Sequence, residues 1–104
     1  MSDDEVFQYF GQKFEWNRMK AMRNVVAHGV RFPEAATVFF DKDALFDPDE
    51  EHSADEQRYT IVGRSIHLRS LFVVHVERGE RIRIISARVA TEYERSEYEA
   101  RLGR

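Results

Sequence analysis

The sequence has no cysteine among its 104 residues, which removes disulfides, thiolate metal sites, iron–sulfur ligation and thiol nucleophiles together. It has no apolar run near the ~18 residues that cross a bilayer as a helix, so no membrane association is expected. Its opening, Met1-Ser2-Asp3-Asp4-Glu5, is acidic where a secretory leader is basic, and a cytoplasmic location is expected. The five glycines are scattered singly, with no phosphate-cradling loop and no serine-hydrolase signature. His28, His52, His67 and His75 show no i,i+3 or i,i+4 pairing with one another, and the acids of 47–56 lack the central glycine of a calcium loop. Neither a metal nor a cofactor is expected. Acid pairs are abundant, but nothing singles out two of them for glycoside hydrolysis.

Leu, Ile, Val and Phe supply 27 residues, about a quarter of the chain and above the range of disordered sequences, so one folded domain is expected. The net charge of −3 hides an asymmetry. Residues 1–40 are balanced, residues 41–56 carry eight acids against Lys42, and residues 57–104 carry ten basic side chains against six acids. All ten are arginine, whose planar fork of donors matches phosphate oxygens two at a time. The plainer reading is a solvated surface laced with Arg–Glu pairs, and an acidic chain lacks the high pI of a generic nucleic-acid binder.

Residues 1–12 fit a short docked helix, a strand or a frayed extension equally well. Lys13-Phe14-Glu15-Trp16 alternates as a strand. Asn17 then caps a helix over 18–28 with Met19, Met22 and Val26 at helical spacing, stopped by Gly29. A second helix is predicted from Pro33 through Phe40, a short strand at Ala44–Phe46, and a loop over 47–56. Strands over 58–63, 71–76 and 81–89 follow, the last two joined by a turn at Gly79. Thr91 and Glu94 form a capping box for a last helix over 92–102. The order β-α-α-β-β-β-β-α with short turns predicts an α+β fold with a mostly antiparallel sheet, two N-terminal helices and one C-terminal helix.

Strict alternation puts Ile82, Ile84, Ser86 and Arg88 on one face of the last strand and Arg81, Arg83, Ile85 and Ala87 on the other. Arg88 thus ends a row of core residues, where it either reaches a cleft with Arg58 and Arg69 or pairs with a glutamate of the last helix.

The run Phe14-Glu15-Trp16-Asn17, then Val26-Ala27-His28-Gly29-Val30, then Phe32-Pro33-Glu34-Ala35-Ala36 resembles the opening of the BrnT family of bacterial toxins. The three later strands and the helix from Thr91 to Tyr98 resemble that family in order and spacing, so the likeness covers about residues 13–100. Residues 1–12 then read as an N-terminal extension and 13–104 as a single toxin domain.

The resemblance implies a RelE-like fold and a ribonuclease toxin of a type II toxin–antitoxin system. Such a toxin cuts RNA without metal and inhibits translation. A BrnA-like DNA-binding antitoxin neutralises it, and operator DNA is reached only through that antitoxin. It also implies that Arg58, Arg69 and Arg88 bind phosphate and stabilise the transition state, with the proton acceptor coming from His75, a glutamate such as Glu77, or the substrate's surroundings. Arg81, Arg83 and Arg95 would touch the RNA backbone. His75 on a central strand is equally a structural histidine, and Arg95 equally a partner of Glu92 or Glu99. Glu92 departs from the family, where a basic residue often stands, and leaves room for a catalytically weak interaction module that binds the antitoxin and supports repression.

Overall fold

A computed structural model describes residues 3–103. The undecided N-terminal segment is a strand, β1 (Asp4–Tyr9), which turns at Phe10-Gly11 into β2 (Gln12–Asn17). Alternation decides its inner face: Phe7 packs against Trp16 in a tilted arrangement, 5.7 Å between ring centroids, while Glu5 accepts a hydrogen bond from the Trp16 indole at 2.9 Å. The indole N–H thereby keeps a partner although its ring is buried.

Asn17 caps α1 (Arg18–His28) through the Lys20 amide, and Gly29 ends it in the left-handed region at φ 68°. The predicted second helix divides: α2 (Phe32–Thr37) is α-helical, and Val38–Phe40 tightens into a 3-10 turn. That turn lies against Gly63, where an added Cβ would sit 3.1 Å from Ala44 Cβ and 3.2 Å from the Val38 carbonyl. The remaining elements are β3 (Leu45–Pro48), β4 (Tyr59–Arg64), β5 (Ser70–Arg78), β6 (Arg81–Val89) and α3 (Glu92–Arg101). The predicted loop over 47–56 is partly ordered. β3 runs on to Pro48, and Glu50–His52 forms a second 3-10 turn.

The six strands lie in the order β1-β2-β6-β5-β4-β3, a mixed and mostly antiparallel sheet. Only the β2–β6 seam is parallel, with Lys13 opposite Arg81 and Glu15 opposite Arg83. β6 is therefore interior, between β2 and β5. Against one face of the sheet lies the main core, formed by Phe14, Trp16, Phe32, Val38, Ile61, Leu71, Val73, Ile84 and Ala87 with α2. Across the other face α3 packs through Tyr98, beside Val62 and Ala90.

One expectation is corrected, and the helical spacing of α1 does not mark its buried side. Met19, Met22 and Val26 are exposed, Ala21 packs against the core, and the one buried residue of the helix is Asn24. Its amide donates to the Val30 and Ala87 carbonyls at 2.9 and 2.8 Å and accepts from the Ala87 amide at 3.1 Å. Asn24 thus satisfies the outer edge of β6 beyond β2, as a neighbouring strand would. Strict alternation also fails along β6. Val74 is opposite Ser86 while His75 is opposite Ile84, so Ile85 is an extra residue in a bulge. Ile84 and Ala87, not Ile84 and Ser86, point into the core. Arg88 therefore leaves the core row and joins the opposite face.

Candidate functional site

The bulge gathers the site. On the α3 side of the sheet, Arg58, Thr60, Phe72, Ser86 and Arg88 line a cleft of about 390 Å³, joined by Asp49 and His52 from the acidic segment. Local bonding explains how that segment reaches the sheet. The Asp49 amide donates to the Arg58 carbonyl at 2.8 Å, and the Ser53 hydroxyl ties the Arg58 amide (2.8 Å) to the Asp49 carbonyl (2.6 Å). The 3-10 turn then carries His52 so that its Nδ1 lies 3.1 Å from both Asp49 carboxylate oxygens. With Nδ1 facing the carboxylate, Nε2 is the nitrogen left for another partner. The His52 side chain is 63% exposed and Asp49 only 18%, an accessible imidazole on a sheltered anchor.

The two arginines differ in occupancy. Arg58 is half-buried and makes no ion pair among the described residues. Arg88 lies over the Phe72 ring, 4.1 Å from its centroid, and forms two bonds to Glu94 at 2.8 and 2.9 Å. Glu94 also accepts from the Thr91 amide and so completes the capping box of α3. Burial raises the Glu94 pKa, but the bonds from Arg88 and Thr91 outweigh it and leave the carboxyl below its ordinary value.

The other sequence-predicted residues lie elsewhere. Arg69 is held on Glu34 at 2.6 and 3.0 Å and on the Gly29 carbonyl at 3.3 Å, away from this cleft. Its guanidinium holds the Glu34 carboxyl below the usual range. His75 lines a different cleft, together with Glu77. It is 1% exposed among Phe39, Phe46 and Tyr59, and burial drives its pKa down to about 4, so it is neutral near pH 7. Arg83 is bonded to Asp4 and Glu15 at 2.9 and 2.8 Å, and Arg81 stands 3.6 Å from Glu15. Arg95 is exposed on α3 with no ion pair among the described residues. Asp49 and His52 escaped the sequence reading. Their three-residue spacing beside Ser53 was the available signal, hidden within a run of acids that reads as solvated loop.

Among the described residues no group of three or more His, Asp or Glu side chains is placed to hold a metal ion, and no helix is long and apolar enough to cross a membrane. What the cleft offers is two guanidinium groups for an anion, a carboxylate-anchored imidazole for a proton, and an aromatic floor.

Residues 16–94 match the family model described as "Ribonuclease toxin, BrnT, of type II toxin-antitoxin system". The chain belongs to the BrnT family. Membership places it among the ribonuclease toxins of type II systems and implies a cognate antitoxin as partner. A solved structure, the Brucella abortus ribonuclease toxin BrnT at 1.1 Å resolution, shares the fold with a TM-score of 0.58 and 21% sequence identity. That likeness covers 74% of this chain and 94% of the Brucella BrnT chain. A search of curated proteins gives no match. The BrnT match begins after β1 and most of β2, so the strand that shelters Trp16 lies outside it.

Proposed function

We propose that this chain cleaves RNA at the Arg58–Arg88 cleft without a metal ion, and that in the cytoplasm this cleavage inhibits translation until a BrnA-like DNA-binding antitoxin neutralises it. Operator DNA is reached only through that antitoxin. Residues 13–104 act as the toxin domain, of RelE-like architecture, with residues 1–12 as an added edge. The observation that carries this reading is the meeting of Arg58, Arg88 and the His52–Asp49 pair in one cleft.

His52 Nε2 accepts the proton of a ribose 2′-OH while Asp49 fixes the ring and stabilises the imidazolium. The 2′-oxygen bonds to the adjacent phosphorus, and the P–O5′ bond breaks. The departing 5′-oxygen takes a proton from the imidazolium or from water, leaving a 2′,3′-cyclic phosphate and a 5′-hydroxyl. Arg58 and Arg88 offset the charge that builds on the phosphorane oxygens. Arginine suits that task and not the base's, because it keeps its proton at neutral pH. DNA lacks the nucleophile and is spared. Arg95, exposed on α3, is the cation best placed to follow the RNA backbone.

The test is cleavage of RNA by purified, antitoxin-free protein in excess EDTA, beside Arg58→Ala and His52→Ala. Wild-type cutting with at least a hundredfold loss in both variants, at unchanged circular dichroism, is the expected result. Full activity in His52→Ala would move the base elsewhere, and no cutting by the folded wild type would overturn cleavage of free RNA. One observation favours a second reading, a catalytically weak module that binds the antitoxin and acts in repression: Glu94 already occupies the guanidinium of Arg88.

A further inference from the structure

The face of the sheet turned away from the arginine cleft carries a second cavity that the cleavage reaction leaves unused. It measures about 520 Å³ and lies between the β1–β2 turn and β3, walled by Phe10, Phe40 and Phe46 with His75, Glu77 and Gln12. Phe10, Phe40 and Phe46 are 81%, 44% and 57% exposed. They line it in two ring groups, Phe10 and Phe40 with Tyr9, and Phe46 with Phe39. Phe10 contacts Tyr9 at 4.6 Å and Phe40 at 5.7 Å between ring centroids, and Phe39 bridges to Phe46 at 6.3 Å. An exposed apolar surface of this kind marks an interaction site. Phe10 also holds its ring there from a left-handed backbone at φ 49°, a conformation disfavoured for a side chain of this size. Behind the rings, the buried His75 leaves its Nδ1 without a hydrogen-bond partner among the described residues.

Charge narrows the occupant. Glu77 lines the cavity, and the Gln12 amide that also lines it bonds to the Glu80 carbonyl at 3.0 Å. Among the described lining residues Glu77 carries the one full charge near pH 7, and no lysine or arginine joins it. An RNA backbone is repelled by that carboxylate, and a second copy of this chain would bring the same carboxylate to it. A basic protein segment is attracted. The exposed stripe on α1 is the opposite case, since Met19 and Met22 stand among Arg18, Lys20 and Arg23 and would repel that segment.

We propose that the aromatic cavity docks a basic segment of the cognate antitoxin through an apolar or aromatic anchor residue. The proposal rests on the toxin–antitoxin reading and adds where the antitoxin engages: on the face opposite the catalytic cleft, with at least this anchor outside the RNA path. Phe10 lies before the matched family region of 16–94, so one wall of the cavity is a feature added by this chain's N-terminal hairpin. That wall makes the cavity selective for this toxin's own antitoxin.

Calorimetric titration of the purified antitoxin into four proteins tests it: wild type, Phe46→Glu, Phe10→Ser and Met22→Glu. Phe46→Glu should weaken the Kd at least tenfold and Phe10→Ser severalfold, while Met22→Glu stays within twofold. Binding should weaken with added salt. Phe46→Glu without antitoxin should cut RNA at the wild-type rate and resist neutralisation. If Phe46→Glu does not fold, Phe10→Ser, at an 81% exposed position, carries the result. Unchanged affinity in Phe10→Ser and Phe46→Glu overturns the docking site. So does a larger loss in Met22→Glu, or an effect of Phe46→Glu on RNA cleavage alone. Wild-type protein that binds no antitoxin overturns the docking site and the toxin–antitoxin reading with it.

Discussion

The two halves of β6 carry arginines in different company. Before the bulge, Arg81 and Arg83 meet Glu15, and Arg83 also meets Asp4. Their charge is spent on joining β1 and β2 to the rest of the sheet. After the bulge, Arg88 pairs with Glu94 alone and faces a cleft shared with Arg58, which makes no ion pair among the described residues. Residue type is the same in both halves, and so is the strand. What differs is one extra residue at Ile85, which turns the second half over, and the number of carboxylates waiting on each side. A count of arginines measures capacity for phosphate binding, and the local supply of acids decides how much of it survives folding.

The largest expected effect attacks the second half from behind. Asn24→Ala removes three hydrogen bonds and leaves the buried Ala87 amide and carbonyl without partners. It should cost about 4 kcal/mol in urea unfolding and loosen Arg88 with it. Next is Arg58→Ala, which should lose at least a hundredfold in cleavage, about 3 kcal/mol of barrier, with a melting temperature close to wild type. Equal loss of stability would make Arg58 structural and erase the contrast.

Acid probes the boundary between the halves, where His75 is opposite Ile84. Its pKa is near 4 in the folded protein and about 6.5 unfolded, so between those values the unfolded chain binds more protons. Stability should therefore fall as pH drops from 6.5 toward 4, by about 2 kcal/mol at pH 5. In His75→Phe, urea midpoints should change far less across that range. Arg83→Ala tests the first half. It takes from the buried Glu15 its shortest ion pair, leaving Arg81 at 3.6 Å and Arg78 at 3.8 Å, and should cost about 1–2 kcal/mol, while cleavage per folded molecule is unchanged.

Glu94→Gln gives the smallest effect and the sharpest distinction. Glutamine keeps the capping box but releases Arg88 from an ionic partner. The KM for RNA should fall about twofold to fivefold, for less than about 1 kcal/mol of stability. Because the Glu94 pKa lies below its ordinary value when folded, the wild-type contribution is present above the carboxylate range and lost as pH falls through it. The variant should lack that acid step.

Features set by neighbours in sequence were legible. Asn17 and Gly29 bound α1, Thr91 and Glu94 open α3, and Gly79 sits in the β5–β6 turn, each as local chemistry requires. Features set by distant partners were not. The pairing of β2 with β6 joins residues far apart in the chain, and no local pattern announces it. The bulge at Ile85 is written in apolar residues that read equally well as plain alternation. Met19, Met22 and Val26 carried a helix period that located α1 but not its buried side, because Asn24 wins the inward position through three hydrogen bonds. Of the site, Arg58 and Arg88 were visible as strand-end arginines. Asp49 and His52 were not, since their meeting depends on Ser53 and Arg58 folding the acidic segment back onto β4.

The interior place of β6 also sets an order of assembly. Synthesis delivers the β1–β2 hairpin, both N-terminal helices and β3 to β5 before the strand that joins them exists. Until β6 leaves the ribosome, the hairpin has no neighbouring strand and Arg58 faces no Arg88. The sheet, and with it the cleft between Arg58 and Arg88, is thus complete only when the chain is almost finished.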